Sequence, residues 1–410
     1  MFDAKQIRKD FPMFTNKVKM QKHDLVFLDN ASTTFKPQQV IDACEFYYSH
    51  ETSNSGRGDY DVMYNVDQKV LETRKTVAKF INANEDEIVF TAGTTASLNL
   101  VAFGWAKKHL KKGDEILITV AEHASNVLPW FELQKTIGCK VNFINLTKDG
   151  EVTLENVEKA ITKNTKIISI ANVTNVLGSY VDMKPICELA HKNGITVVCD
   201  GAQSVPHIKT DVEEMGVDFL AFSGHKMLGP TGIGVLYGRK ELLEDMDPIE
   251  FGGGMNEVFE TDGSVTLHKA PQKLEAGTIN LDGVYGLDEA VKYIEKVGIE
   301  NIRKHELELK KYAVEKLHTV KDIVIYNENS ESGIVSFNLK GVFAQDLATL
   351  LNSKGIAVRS GNHCAKILKN QIHEIATVRA SFYLYTTKED IDALVEALKE
   401  GGNFLDAYFA

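Results

Sequence analysis

Between about residues 70 and 235, apolar residues fall in short unbroken runs separated by polar stretches with helical spacing. Runs at 87–91, 115–118, 166–170, 195–199 and 218–222 are rich in Ile, Val, Leu and Phe and do not alternate with polar residues. A strand with one wet face alternates, whereas a strand covered on both faces reads as a continuous apolar run. Helical stretches such as 183–193 lie between some of the runs. The segment therefore reads as α/β, with a mostly parallel sheet and crossover helices.

Past about residue 291 the pattern changes. A long amphipathic stretch carries Leu309, Tyr312, Ala313 and Leu317 at helical spacing. Strands are expected at 333–339, 356–359 and 377–382, with a helix at 344–353. A closing helix follows, for which Thr386 and Glu389 have the spacing of a capping box. No repeat or linker marks a boundary, but 410 residues exceed one ordinary core. The expected division is a large unit at 16–290 and a smaller α+β unit formed by 1–15 with 291–410.

Composition narrows the class of partner. The net charge of −11 is the wrong sign for a phosphate-binding surface, so no nucleic-acid partner is expected. The start, Met1-Phe2-Asp3-Ala4-Lys5-Gln6, has no basic segment leading into an apolar one, and no apolar run has the length of a spanning helix. Neither a secretory signal nor a membrane partner is expected. Five scattered cysteines without CxxC spacing fit reduced thiols in a cytoplasm and no zinc site.

Candidate chemistry gathers just past the predicted strand ends. Gly93-Thr94-Thr95 follows the run ending at Thr91 and opens a helix, an arrangement that offers backbone N–H groups and hydroxyls to a phosphate. Asp200 ends another run, at the edge where open α/β sheets bind ligands, with Gln203 three residues on. Ser223-Gly224-His225-Lys226 ends the next, before a glycine-rich turn that admits close backbone approach. His123 and Asn175 also follow strand ends. Each has a plainer reading alone: a helix cap for the Gly93 turn and Asp200, a surface charge for Lys226, loop or turn residues for His123 and Asn175.

Their coincidence is what points to pyridoxal 5′-phosphate (PLP). That cofactor needs a lysine for a Schiff base, a carboxylate for its ring nitrogen and donors for its phosphate. Cys364 adds something a plain aminotransferase has no use for. It sits in the polar loop Arg359-Ser360-Gly361-Asn362-His363-Cys364-Ala365, with basic neighbours of the kind found around nucleophilic thiols. Arg379 opens the next strand; it is either a fork for a substrate carboxylate or a surface ion pair.

Over nearly its whole length the chain resembles the group II, SUF-type cysteine desulfurases, fold-type I PLP-dependent transferases of the class V aminotransferase branch. The resemblance rests on Leu28-Asp29-Asn30-Ala31-Ser32-Thr33-Thr34, Thr91-Ala92-Gly93-Thr94-Thr95, Asp200-Gly201-Ala202-Gln203, Phe222-Ser223-Gly224-His225-Lys226, Glu275-Ala276-Gly277-Thr278 and the 359–365 loop. It implies Lys226 as the Schiff-base lysine, Asp200 as partner of the ring nitrogen, and His123 stacked on the ring. Asn175 and Gln203 would address the phenolic oxygen, and Thr94, Thr95, Ser223 and His225 the phosphate. Thr278 would reach the phosphate of a neighbouring subunit, implying a homodimer. Arg379, with Arg359 and Asn175 nearby, would hold the substrate, and Cys364 would take its sulfur.

The implied activity converts L-cysteine to L-alanine, with the sulfur passing as a persulfide to a scaffold protein of iron–sulfur cluster assembly. Selenocysteine lyase or cysteine sulfinate desulfinase activity would use the same site, and a PLP-binding scaffold without catalysis is the reading from another class. Four positions depart from the family pattern: Gly56 before Arg57-Gly58, Ala124, Asn362 and Lys366-Ile367. None is the lysine, the aspartate or the cysteine.

Overall fold

A computed structural model describes residues 2–56, 59–326 and 328–400. Its centre is a seven-stranded sheet of β1 (Ile88–Thr91), β2 (Glu115–Thr119), β3 (Lys140–Ile144), β4 (Thr165–Ala171), β5 (Thr196–Asp200), β6 (Phe219–Ser223) and β7 (Gly234–Gly238). Their order is β1-β7-β6-β5-β4-β2-β3, parallel except for β7, which runs against both neighbours.

The unbroken apolar runs have a direct cause. Alternate residues feed two separate cores, one on each face: Leu117, Leu220 and Phe222 on one side, and Ile116, Ile118, Phe219 and Ala221 on the other. All five expected strands are present, with ends within a residue or two. Two more escape the pattern. β3 lies at the sheet edge with half-exposed positions, and β7 begins inside the stretch that reads as a glycine turn.

That glycine start shapes the functional edge of the sheet. A Cβ on Gly234 would lie 2.4 Å from the Gly93 Cα and 2.7 Å from the Phe222 carbonyl oxygen. Backbone cannot yield as a side-chain tip can, so Gly234→Ala is expected to destabilise by about 1–3 kcal/mol and displace the Gly93 turn. Thermal unfolding and the rate of PLP loss on dialysis check this; an unchanged rate of loss would separate Gly234 from the turn.

A second, antiparallel sheet holds β8 (Ile323–Tyr326), β9 (Ile334–Leu339), β10 (Arg359–Gly361) and β11 (Thr377–Ser381) in the order β8-β9-β11-β10. Helices Ile299–Leu317, Ala344–Ser353 and Lys388–Glu400 cover it, burying Leu309, Ala313 and Leu317 against Phe337, Leu347 and Leu394. The single strand expected at 356–359 is divided. Ile356–Ala357 pairs in parallel with Val26–Phe27, and Arg359 onward pairs with β11.

The expected capping box gives way to a one-sided contact one residue further on. Glu389 pairs with Lys5 at 2.5 Å, while Asp390 Oδ2 accepts the Thr387 N–H at 2.8 Å. The N-terminal residues cross to this end of the chain: Phe11 is buried edge-on against Tyr385, and Arg8 Nε donates to the Tyr385 carbonyl at 2.8 Å. Among the described residues no helix is long and apolar enough to cross a membrane.

Candidate active site

The parallel strands deliver their carboxyl ends to one edge of the large sheet, and side chains from that edge line a cavity of about 220 Å³. Thr94, Thr95, His123, Asn175, Asp200, Gln203, Ser223, His225 and Lys226 line it, joined by Arg359, Cys364 and Arg379 from the second sheet and its loop. Thr278 is not among them: it is exposed, outside this cavity. Of the departures from the family pattern, Gly56 is exposed, and Arg57-Gly58 lie outside the described residues.

One end of the cavity is a nest of small donors. Gly93 has φ +143°, which turns Thr94 so that its N–H and hydroxyl both meet the Ser223 hydroxyl, at 2.8 and 2.7 Å. The Thr95 hydroxyl bonds that of Ser125 at 2.7 Å. Buried Asp200 accepts the Ala202 N–H at 2.9 Å, and desolvation raises its carboxyl above the usual range against the pull of Lys226. The Lys226 amine is lowered to about 8, mainly by desolvation, with Arg379 and Arg359 adding to the effect and Asp200 opposing it. An amine so placed is partly neutral near physiological pH, as carbonyl chemistry requires.

The imidazoles here are held neutral. His123 Nδ1 accepts the Ser125 N–H at 3.2 Å, which leaves the ring proton on Nε2, and burial beside Lys226 and the arginines lowers it to about 4. His225 is lowered to about 4 by burial first and Lys226 second. Gln203 Nε2 donates one of its two N–H groups to the Ala31 carbonyl at 2.7 Å.

The small sheet contributes two guanidinium groups to the cavity. Buried Arg379 donates through Nη1 to the Asn175 carbonyl at 2.7 Å, and through Nη2 to the Ser32 hydroxyl at 2.8 Å and Asp29 at 3.3 Å. Arg359 reaches the same Ser32 hydroxyl at 3.1 Å from its half-exposed position. Arg379 is therefore not a surface ion pair. Its Nε, the Asn175 Oδ1 and the His363 Nδ1 are buried without a partner, which in a cavity wall marks places for ligand atoms.

Cys364 is exposed, at φ +60° beside His363 at φ +51°, and its carbonyl accepts the Ala124 N–H at 2.8 Å. Further hydrogen bonds fasten this loop and its sheet to the segment past β4, among them Asn175 Nδ2 to the His363 carbonyl at 2.8 Å, Arg379 to the Asn175 carbonyl, and Ser336 to the Val176 carbonyl at 2.6 Å. Sequence reasoning missed Ser32, Ser125 and His363 as members of the site. Ser125 and His363 lie within two residues of His123 and Cys364, and Ser32 lies in the Leu28–Thr34 stretch.

A cavity with a buried carboxyl, a desolvated lysine and a hydroxyl nest fits PLP, and the unpartnered Asn175 Oδ1 leaves an acceptor on its wall. Comparison with known proteins agrees. The family model described as Aminotransferase class-V matches residues 26–394. The chain belongs to that family. Within the family it is 44% identical over 408 residues to a probable cysteine desulfurase of Halalkalibacterium halodurans, covering 99% of this chain and 100% of that one. It is likewise 44% identical to a probable cysteine desulfurase of Staphylococcus aureus, covering 100% and 99%. Among solved structures, the Escherichia coli cysteine desulfurase CsdA superposes with a TM-score of 0.91 at 36% identity, covering 99% of each chain. The apo cysteine desulfurase of Thermococcus onnurineus gives 0.91 at 37%, covering 96% and 97%.

Proposed function

We propose that this chain is a PLP-dependent cysteine desulfurase, a sulfurtransferase that converts L-cysteine to L-alanine and keeps the sulfur as a persulfide on Cys364. One observation carries the reading: the Cys364 thiol lines the same cavity as the Lys226 amine, Asp200 and Arg379. When bound there, PLP supplies an electron sink for the bonds at the substrate α-carbon.

The chain's own groups do the rest. Arg379 holds the substrate carboxylate, with Arg359 and Asn175 beside it, and so aims the α-proton and the thiol. Lys226 Nζ takes the α-proton as a general base. Asp200 would serve the ring nitrogen of the cofactor, His123 would stack on its ring, Gln203 would address its phenolic oxygen, and Thr94, Thr95, Ser223 and His225 would hold its phosphate; all of them line the cavity. Cys364 Sγ bonds to the substrate sulfur as the Cβ–S bond breaks, its electrons staying with the carbon skeleton, which gains protons to become alanine. The sum balances: cysteine and a thiol become alanine and a persulfide.

Exposure of Cys364 supports onward transfer to an acceptor scaffold protein feeding iron–sulfur cluster assembly, in the cytoplasm. Exposure of Thr278 outside the cavity supports a homodimer in which it serves the neighbouring site. The division into 16–290 and 1–15 with 291–410 belongs to the same proposal, supported by Arg8, which bonds the Tyr385 carbonyl and pairs with Asp390 of the closing helix. Mass spectrometry after addition of L-cysteine tests the function: one extra sulfur on the peptide carrying Cys364, with alanine released, is expected. Alanine without sulfur on that peptide would sink the reading.

A further inference from the structure

A buried carboxyl that the reaction above does not use lies on the residue before His123. Glu122 is 2% exposed. Its Oε1 accepts the Thr119 hydroxyl at 2.7 Å and its Oε2 the Asn126 Nδ2–H at 2.8 Å.

The directions of these bonds are fixed from their far ends. The Trp130 indole can only donate, and it does so to Asn126 Oδ1 at 3.2 Å; Ser169 Oγ contacts the same oxygen at 2.5 Å. That sets the Asn126 amide with its NH2 toward Glu122. Thr119 Oγ1 accepts the Ala121 N–H at 3.1 Å, so its own proton is turned to the carboxyl. Glu122 thus ties the end of β2 to the residues just past His123 and, through Asn126 and Ser169, to β4.

Burial raises Glu122 to about 7 although both side-chain bonds pull the other way. Keeping a carboxyl there is costly, and an apolar residue of similar volume would avoid the cost. What the carboxyl holds is the short turn whose groups face the cavity. His123 Nδ1 is bonded within that turn to Ser125, at 3.2 Å from its N–H and 3.0 Å from its hydroxyl, and Ser125 reaches Thr95. Any rotation of the turn displaces all three.

We propose that Glu122 is a positioning residue that fixes the His123 imidazole against the bound cofactor by clamping the 119–126 turn. The inference rests on the reading that His123 faces PLP. Glu122→Met keeps the volume and removes both bonds. Glu122→Gln keeps the Asn126 bond at its oxygen and replaces the Thr119 bond by one of reversed direction, its NH2 donating to Thr119 Oγ1. His123→Ala is the control.

The holoenzyme variants are compared by the visible absorption band of bound PLP, the imidazole NMR signals of His123, and kcat and KM for L-cysteine. Glu122→Met is expected to shift the band in the same direction as His123→Ala and to move the His123 signals, with kcat down at least about tenfold and KM within about twofold. Glu122→Gln is expected to recover most of the loss. A Glu122→Met protein altered only in melting temperature would overturn the proposal, as would a Glu122→Gln protein damaged as badly as Glu122→Met. If His123→Ala leaves the band unmoved, the reading of His123 has failed, and the proposal with it. Should Glu122→Met not fold, Thr119→Val removes one donor and is expected to shift band and signals less; no shift overturns the proposal.

Discussion

Lys226→Ala is expected to lower alanine release from L-cysteine by about 10³-fold or more while leaving the protein folded. The size follows from the absence of a substitute. Among the described residues Lys226 is the sole lysine lining the cavity. Another half-buried amine nearby, on Lys36, is also lowered to about 8 by desolvation but spends its protons on the Thr34 and His225 carbonyls, at 2.5 and 3.1 Å. Truncation leaves Asp200, the hydroxyl nest and Arg379 in place, so ligand binding should outlast turnover. Alanine measured in a stopped assay, with and without added methylamine, checks both halves. A small amine entering the vacated space should restore part of the rate; a variant within tenfold of the parent would strip Lys226 of its role.

The second large effect falls on a different bond. Cys364→Ser is expected to lower sulfur transfer from L-cysteine by about 10²-fold or more, because a hydroxyl is a far poorer nucleophile toward sulfur than a thiolate. The visible band of bound PLP should be unchanged, since serine keeps the shape of the side chain and the backbone contacts of Cys364 do not depend on it. Cysteine sulfinate gives the internal contrast. Its C–S bond can break without a thiol acceptor, so the serine variant should retain activity on it. Full desulfurase turnover by Cys364→Ser would leave the exposed thiol without a function and reopen the site to a different chemistry.

The large sheet was legible in the sequence because its strands bury both faces, so hydrophobicity alone marked them. β3 was not, since an edge strand with polar neighbours carries no unbroken run. β7 hid behind Gly229-Pro230-Thr231-Gly232, where turn chemistry masks the strand that follows. The site was legible for a related reason: parallel strands bring their carboxyl ends to one edge, so polar residues just past each run must converge. Arg379 and Cys364 arrive from another sheet, and periodicity does not bring them there; family resemblance did. Ser32 went unassigned because its role is to bridge two guanidinium groups 327 and 347 positions away, a pairing no local pattern encodes.

The three hydrogen bonds that fasten Asn175 and Val176 to His363, Arg379 and Ser336 make the cavity the seam of the molecule. Cys364 and Arg379 belong to one side of that seam, and Lys226 and Asp200 to the other. Prising the sides apart breaks the catalytic assembly at the same moment, so activity should fade under mild denaturant before either sheet melts.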